Sequence, residues 1–427
     1  MTTFRAGFGR ADITPAIGCR LVGYNERHAT DVHDRLLARA FVAEDDGGRW
    51  ALVSCEFCYL NITTVTEIRA AIQQRLGIPP ERVFLATNHT HSGPHDRDAA
   101  NWSRPLADLV TDAVAAACDR LQPARLGSGY GLLYGYSINR RWLDRPVDPG
   151  VGVIRVDDVD GRLLGLITNF ACHAVVLGFD NLRISADWPG HACTQLEDQL
   201  GGGVTCLFLQ GGAGEINPLV QGVRDRLNSG HAVTAIGGIS AYYGPADDPH
   251  SWSIGNRKGG TFAEVAELGD AFAQEVLRIN RGLRTDVSAA PLWSEQITVL
   301  AVADPTESHA NSPATSRTVA DCEHWREQGF PAEIMVLAIG DAVLVGQPGE
   351  VFSETAVALK TRLRLLGYRT PLLVSYANGW LSYLPEPYAF DEGGYEVSRA
   401  QDLGTSRYVQ DRIRAALEPI FTRGNHE

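Results

Sequence analysis

The sequence predicts an α/β protein with a mixed β-sheet core flanked by helices, and three observations carry that expectation. Short apolar runs rich in β-formers recur along the chain. Between several of them lie longer stretches whose apolar residues return at three- and four-residue steps. No composition shift, Pro/Ser-rich linker or internal repeat divides the 427 residues, so one large domain spanning residues 1–427 is expected.

In chain order, the expected strands are Trp50–Phe57, Val83–Ala86, Val151–Val156, Leu163–Phe170, Val204–Leu209, Ile334–Ile339 and Ala342–Gly346. Each is a short apolar run of strand length. The helical patterns are Thr63–Leu76, Leu106–Leu121, Phe262–Ile279, Val351–Leu366 and a closing amphipathic stretch, Ser406–Leu417. Gly340-Asp341 separates two strands in the manner of a tight turn. Pro348-Gly349 then places Glu350 at the start of the next helix, at a sheet edge and facing outward. The least regular stretch, Leu219–Gly260, carries Tyr242, Tyr243 and Trp252 and reads as a long surface excursion: a lid, a subunit contact or a disordered loop.

Composition excludes several classes. With 44% hydrophobic and 21% charged residues and no low-complexity tract, the chain is an ordinary globular protein. A formal charge of −13 without any extended run of Lys or Arg argues against nucleic acid and against an anionic membrane surface. The first residues lack the apolar stretch of a secretion signal, and no apolar run approaches the roughly 20 residues of a membrane span. A cytoplasmic location is the resulting expectation; oligomeric state is not derivable. Eight cysteines, at 19, 55, 58, 118, 172, 193, 206 and 322, sit mostly in apolar segments and read as buried free thiols. Cys55-Glu-Phe-Cys58 is formally C-x-x-C, but in a strand-like run its thiols would face opposite ways, so core cysteines are expected rather than a redox or metal pair.

The strongest chemical signal is Thr87-Asn-His89-Thr-His91-Ser-Gly-Pro94, directly after a strand. Histidines two apart at a strand end can converge on one site once regular alternation stops, and imidazole is the commonest ligand for a divalent metal. Alone, the pair could equally be a polar loop. His173, at the exit of another apolar strand, reads alone as structural, and Glu350 alone reads as a partner of a helix dipole. Together, histidines and a carboxylate at the ends of separate strands form the ligand set of a catalytic zinc site with a position left for water. Gly211-Gly-Ala-Gly-Glu-Ile-Asn-Pro218 lacks the ending of a phosphate loop and reads as a tight turn beside that pocket. Ser92 lacks the Gly-x-Ser-x-Gly setting of a nucleophile elbow, which disfavours a serine hydrolase.

In sequence order, a series of motifs resembles the neutral ceramidases and their bacterial relatives. It includes Gly7-Phe-Gly-Arg-Ala-Asp-Ile-Thr-Pro15, Gly23-Tyr24, Ala38-Arg-Ala-Phe-Val, the His89-Thr-His91-Ser-Gly-Pro signature, Ser137-Ile-Asn-Arg140 and Val147-Asp-Pro-Gly. Further along come Phe170-Ala-Cys-His173, Ser185-Ala-Asp-Trp-Pro-Gly190, Gln210-Gly-Gly-Ala-Gly-Glu-Ile-Asn-Pro218 and Gln347-Pro-Gly-Glu350. The resemblance implies one zinc ion bound by His89, His173, Glu350 and a C-terminal tyrosine, with His91 and Arg140 positioning substrate and stabilising an oxyanion. Asn378-Gly-Trp-Leu-Ser-Tyr383 resembles the family's Gly-Tyr stretch with Ser382 in place of glycine, and Tyr395-Glu396 resembles a later Tyr-Glu pair, with Tyr388 between. Tyr383 is the expected ligand and Tyr395 a transition-state donor; a packed core tyrosine is the alternative for Tyr383.

The function this implies is a zinc-dependent amidohydrolase that cleaves a linear N-acyl bond by attack of zinc-bound hydroxide. Lipid-active family members carry a secretion or anchoring start and a further β-sandwich domain, neither of which is read here. A small, soluble amide is therefore the expected substrate. An esterase or lactonase, an amide-forming acyltransferase, a true ceramidase and a noncatalytic metal-binding scaffold are the alternatives.

Overall fold

In the computed structural model of the chain, the described residues are 4–24, 26–142, 145–221, 223–224, 260–286, 292–301 and 331–423. The expected excursion at 219–260 falls, apart from its two ends, outside them, as does Cys322. Among the described residues, twelve strands build the two larger sheets. The larger is made of β1 (Arg5–Asp12), β2 (Leu37–Asp45), β3 (Gly48–Cys55), β4 (Val83–Thr87), β5 (Gln122–Leu132), β6 (Gly150–Asp158), β7 (Leu163–Phe170) and β8 (Thr205–Gln210), in the spatial order β8-β7-β6-β5-β1-β2-β3-β4. The smaller contains β9 (Leu292–Leu300), β10 (Pro331–Ile339), β11 (Ala342–Gly346) and β12 (Thr370–Val374), in that order. Both are mixed. The pairs β3/β4, β7/β8 and β11/β12 are parallel and the other neighbours antiparallel.

The hydrophobic clusters define four layers. Phe8, Phe41, Leu52, Phe84, Ile154 and Leu207 of the large sheet pack against Met335, Leu337, Leu344, Leu372 and Val374 of the small one, so the sheets meet face to face. The outer face of the large sheet is covered by α1 (Ile62–Leu76) and α2 (Leu106–Cys118) over β1–β4, and by α3 (Asp187–Leu200) and α4 (Phe262–Gly282) over β6–β8. The outer face of the small sheet is covered by α5 (Ser353–Leu365) and, beyond α6 (Pro387–Glu392) and α7 (Tyr395–Asp402), by α8 (Val409–Arg423). No helix among the described residues is long and apolar enough to cross a membrane.

Local chemistry explains several boundaries. Thr261 accepts from the Glu264 N–H while the Glu264 carboxylate accepts from Thr261, a capping box that starts α4 at the expected residue. Gly340 turns with φ 68° between Ile339 and Ala342, which pair directly, so the expected hairpin is present. Three expectations need correction. The helix expected at Val351–Leu366 begins at Ser353, because Glu350–Val351 is a short strand paired in parallel with Tyr383–Leu384. Glu350 consequently faces inward and is 4% exposed, not outward at a sheet edge. The strand expected through Phe57 ends at Cys55, where the chain turns, so strand alternation does not govern Cys58; both thiols are nevertheless buried and free.

The carboxyl ends of β4, β7, β8, β11 and β12 gather at one end of the sandwich, where the chain pins the two sheets together. Leu85 and Asn378 exchange hydrogen bonds, Ser375 N–H donates to Gln210 O at 2.9 Å, and Asn169 Nδ2 donates to both Leu209 O and Leu373 O at 3.0 Å. Crevices outside the carboxyl ends of strands are the usual binding location in α/β sheets.

Candidate metal centre

The loop after β4 delivers His89 and His91. His89 has φ 67°, a left-handed conformation uncommon for a residue with a side chain, held by its N–H donating to Phe57 O at 2.9 Å. That break in alternation turns both imidazoles into one pocket: His91 Nε2 lies 3.1 Å from His89 Nε2. Gly23 makes room for His91, since a Cβ at that position, with φ +90°, would stand 2.3 Å from the His91 ring. Tyr24 meets the His91 ring edge-on at 4.9 Å, and the Arg27 guanidinium donates to the His91 carbonyl.

His173 leaves the end of β7 and packs over the Gly-rich turn after β8. Its Nδ1 lies within hydrogen-bonding distance of Ala213 O and, at 3.1 Å, Ile216 O, and its carbonyl accepts from Trp188 Nε1 at 3.0 Å. Behind it, Phe170, Trp188, Phe208 and Phe272 interlock with centroid spacings of 4.9–6.0 Å, contributing about 0.5–1.5 kcal/mol per aromatic pair beyond area burial. The turn itself needs Gly214, because a Cβ there would sit 2.7 Å from Glu350 O. Gly211–Pro218 is thus a backbone cradle for His173 and Glu350, as its sequence suggested.

Glu350 faces both histidines. Its Oε2 is 3.2 Å from His173 Nε2 and 3.5 Å from His89 Nε2. Carbonyl oxygens can only accept, so His173 Nδ1 and His89 Nδ1, the latter 2.7 Å from Cys58 O, carry the ring protons. Both Nε2 lone pairs therefore point toward the carboxylate. Burial, partly opposed by Glu350, depresses the His89 pKa to about 3, so its imidazole is neutral at physiological pH. Two imidazole nitrogens and a carboxylate oxygen, all mutually within 4.8 Å, fit a metal ion. A second group, Cys58, His89 and His91, also lies within that separation. It fits less well: His89 Nδ1 is engaged by Cys58 O, and burial raises the Cys58 thiol pKa well above its usual value, keeping it protonated.

Tyr383 is the register partner of Glu350 in the parallel two-strand ladder, which places it on the flank of the same site. Its hydroxyl accepts from Arg140 Nη2 at 2.9 Å. Arg140 also donates to Glu396 Oε1 at 2.7 Å, Asn217 Oδ1 at 3.1 Å and Gly214 O at 2.8 Å. Tyr395 stands edge-on to Tyr383 at 5.8 Å and 5.9 Å from the Arg140 guanidinium. Burial raises the hydroxyl pKa of Tyr383 well above the usual range and that of Tyr395 to about 12, so without a cation both stay protonated. Burial would also raise the Glu396 pKa, but Arg140 and Arg141 overcome it and hold the carboxyl below its usual value. Tyr388, by contrast, is exposed on α6 beside Arg145.

All seven residues singled out from sequence therefore converge on one end of the sandwich: His89, His173 and Glu350 at its centre, with His91, Arg140, Tyr383 and Tyr395 around them. Sequence reasoning missed Tyr376, stacked on His89 at 4.0 Å, and Trp380, whose Nε1 donates to Glu350 Oε1 at 3.3 Å. The aromatic content of Ser375–Tyr383 is the cue that points to them.

The chain is similar to known proteins along much of its length. Residues 4–236 match the family described as neutral/alkaline non-lysosomal ceramidase, N-terminal. The chain is 28% identical over 247 residues to the neutral ceramidase of Pseudomonas aeruginosa, covering 50% of this chain and 37% of that one. It is 25% identical over 367 residues to neutral ceramidase B of Dictyostelium discoideum, covering 74% and 49% respectively. It thus spans about half or less of the length of these curated relatives. The crystal structure of the Pseudomonas aeruginosa neutral ceramidase matches with a TM-score of 0.72 at 22% identity, covering 99% of this chain and 74% of that one. At that identity the match speaks to the fold, and it supports the α/β class.

Proposed function

The chain belongs to the neutral/alkaline non-lysosomal ceramidase family, and from that premise we propose that it is a zinc-dependent hydrolase of N-acyl amide bonds. The observation that carries the proposal is the convergence of His89 Nε2, His173 Nε2 and Glu350 Oε2. When bound by such a set, zinc polarises a carbonyl and acidifies a water near neutral pH. Tyr383 is the fourth protein ligand in this reading. The Arg140 N–H at its oxygen favours the phenolate, the form in which tyrosine would bind a cation.

The remaining roles belong to the side chains around the centre. Arg140, fixed on Glu396, Asn217 and Gly214, aligns Tyr383 and presents positive charge where an amide oxygen gains negative charge. His91, against His89 and Tyr24, orients the scissile amide, and its Nε2 takes a proton from the attacking water and passes it to the departing amine. Tyr395, kept protonated by burial, donates to the oxyanion. One preorganised donor of this kind contributes about 2.7–4 kcal/mol to catalysis.

The substrate class follows from chemistry shared by the relatives. Their names point to a lipid amide, an acylated sphingoid base, and not to the small soluble amide suggested by sequence. The first substrate to test is therefore an N-acylsphingosine in mixed micelles, with a short N-acyl amine beside it. Release of free amine, abolished by His89→Ala and by a zinc chelator and restored by added zinc, is the expected result. Full activity in a metal-free preparation would overturn the proposal.

A further inference from the structure

We propose that Tyr376 and Trp380 form a two-donor clamp that confines Glu350 to binding metal through one oxygen, and so set the affinity and size selectivity of the centre. This inference rests on the zinc reading above. The two oxygens of Glu350 have different surroundings. Oε2 faces His173 and His89 at 3.2 and 3.5 Å and accepts from the Tyr376 hydroxyl at 3.3 Å. Oε1 accepts from the Trp380 indole Nε1 at 3.3 Å. Turning the carboxylate so that both oxygens reach a cation breaks the Trp380 bond.

Both donors are themselves immobilised. The Trp380 indole stacks on Tyr59 at 4.2 Å with planes 10° apart, and Tyr59 meets His95 edge-on at 6.0 Å. Tyr376 is 1% exposed and stacks on His89 at 4.0 Å and 17°, so one side chain fixes the plane of a ligand imidazole and donates to the ligand carboxylate. The loop that carries them is sewn to the Glu350 backbone. Tyr376 N–H donates to Gly349 O at 3.1 Å, Leu381 N–H to Pro348 O at 2.7 Å, and Glu350 N–H to Ser382 O at 2.8 Å.

The same loop holds Tyr376, Asn378 and Ser382 at φ 54°, 58° and 60°. A bulky residue in the left-handed region costs roughly 1–2 kcal/mol and persists only where its surroundings enforce it. For Tyr376 the enforcing contacts are those to His89, Glu350 and Gly349. A carboxylate restricted to one oxygen suits a small, low-coordination ion, whereas larger ions take carboxylates through two oxygens and more ligands. Groups that orient metal ligands through hydrogen bonds are typically worth about 10–100-fold in metal affinity.

The test uses the purified full chain and metals alone. Zinc and manganese affinities are measured by competition with a chromophoric chelator, and the visible spectrum of the cobalt-substituted protein reports coordination number. Trp380→Phe keeps the ring on Tyr59 and removes only the N–H; Tyr376→Phe keeps the ring on His89 and removes only the O–H. Each should weaken zinc by about tenfold or more. Trp380→Phe should also narrow the preference for zinc over manganese and weaken the cobalt bands as coordination number rises. Trp380→His, which retains a ring N–H, should recover part of the loss. Variants that bind zinc with wild-type affinity and give the wild-type cobalt spectrum would overturn the clamp while leaving the metal centre intact. A wild-type chain that binds no zinc would overturn the zinc reading and the clamp with it.

Discussion

Glu396→Gln should loosen Arg140 without emptying the metal centre, and the structure fixes the size of the effect. The Glu396 carboxylate is fully buried, with Oε1 2.7 Å from Arg140 Nε and Oε2 2.9 Å from Arg141 Nη1. Glutamine preserves the shape and one acceptor but removes the negative charge, turning one ion-paired bond into a bond charged only on the arginine side and losing the other. Arg141 retains Glu392, at 3.3 Å, so the uncompensated charge falls mainly on Arg140. A hydrogen bond to a charged group contributes about 1.5–3 kcal/mol, so losing one and weakening the other makes the expected loss about 3 kcal/mol. For 427 residues, at roughly 2.1 cal/mol/K each, that lowers Tm by about 3 °C.

The pH dependence has a definite sign. The folded-state pKa of Glu396 lies below its usual 4.5, so its stabilisation is present above that value and is lost as pH falls through the folded pKa. The Tm gap between wild type and Glu396→Gln should therefore close in acid. At neutral pH, kcat on an N-acyl amide should fall about tenfold with zinc content unchanged, because Glu396 hydrogen-bonds to Arg140 and Arg141 and to none of the metal ligands. Thermal scans from pH 3 to 8, metal analysis and amine release test this together. Unchanged Tm and kcat would refute the positioning role, and lost zinc would refute the separation between the arginine cluster and the ligands.

Three further predictions concern other parts of the site. Gly23→Ala should displace His91 and lower kcat/KM at least about tenfold with zinc retained, because the new methyl would stand 2.3 Å from the ring; unaltered kinetics would contradict it. Tyr383→Phe should lower both zinc affinity and kcat, and a variant with wild-type zinc affinity would remove Tyr383 from the ligand set. Burial raises the Glu215 pKa to about 7 although it accepts from Ser353, so the unfolded chain ionises first and stability declines as pH rises from about 4.5 to 7. Glu215→Gln should flatten that decline, of order 3 kcal/mol, and an equally steep slope of Tm against pH in the variant would contradict it.

Much of this site was legible in the sequence because its centre is built at strand ends. Apolar runs such as Leu163–Phe170 and Ala342–Gly346 mark their strands to the residue, and the polar residues that follow them mark the pocket. The strand Gln122–Leu132 escaped because Gly127, Gly129 and Gly131 alternate along it and blur its apolar pattern. Helix α3 escaped because it opens with Asp187-Trp-Pro-Gly190, a run that reads as a turn; Asp187 indeed sits at φ 56° at its start. The burial of Glu350 depends on a two-residue ladder with Tyr383, too short to leave a periodic signal. Arg140 and Glu396 are 256 positions apart, and the hydrogen bonds of Tyr376 and Trp380 depend on left-handed residues that sequence patterns do not favour.

Metal content tests most directly whether His89, His173 and Glu350 hold zinc. Elemental analysis of the purified full chain should give one equivalent of zinc in the wild type, with the ion lost in His89→Ala, His173→Ala and Glu350→Gln and retained in Glu396→Gln. A wild-type protein that released amine from an N-acyl amide without bound metal, or a His173→Ala protein that still carried a full equivalent, would contradict it.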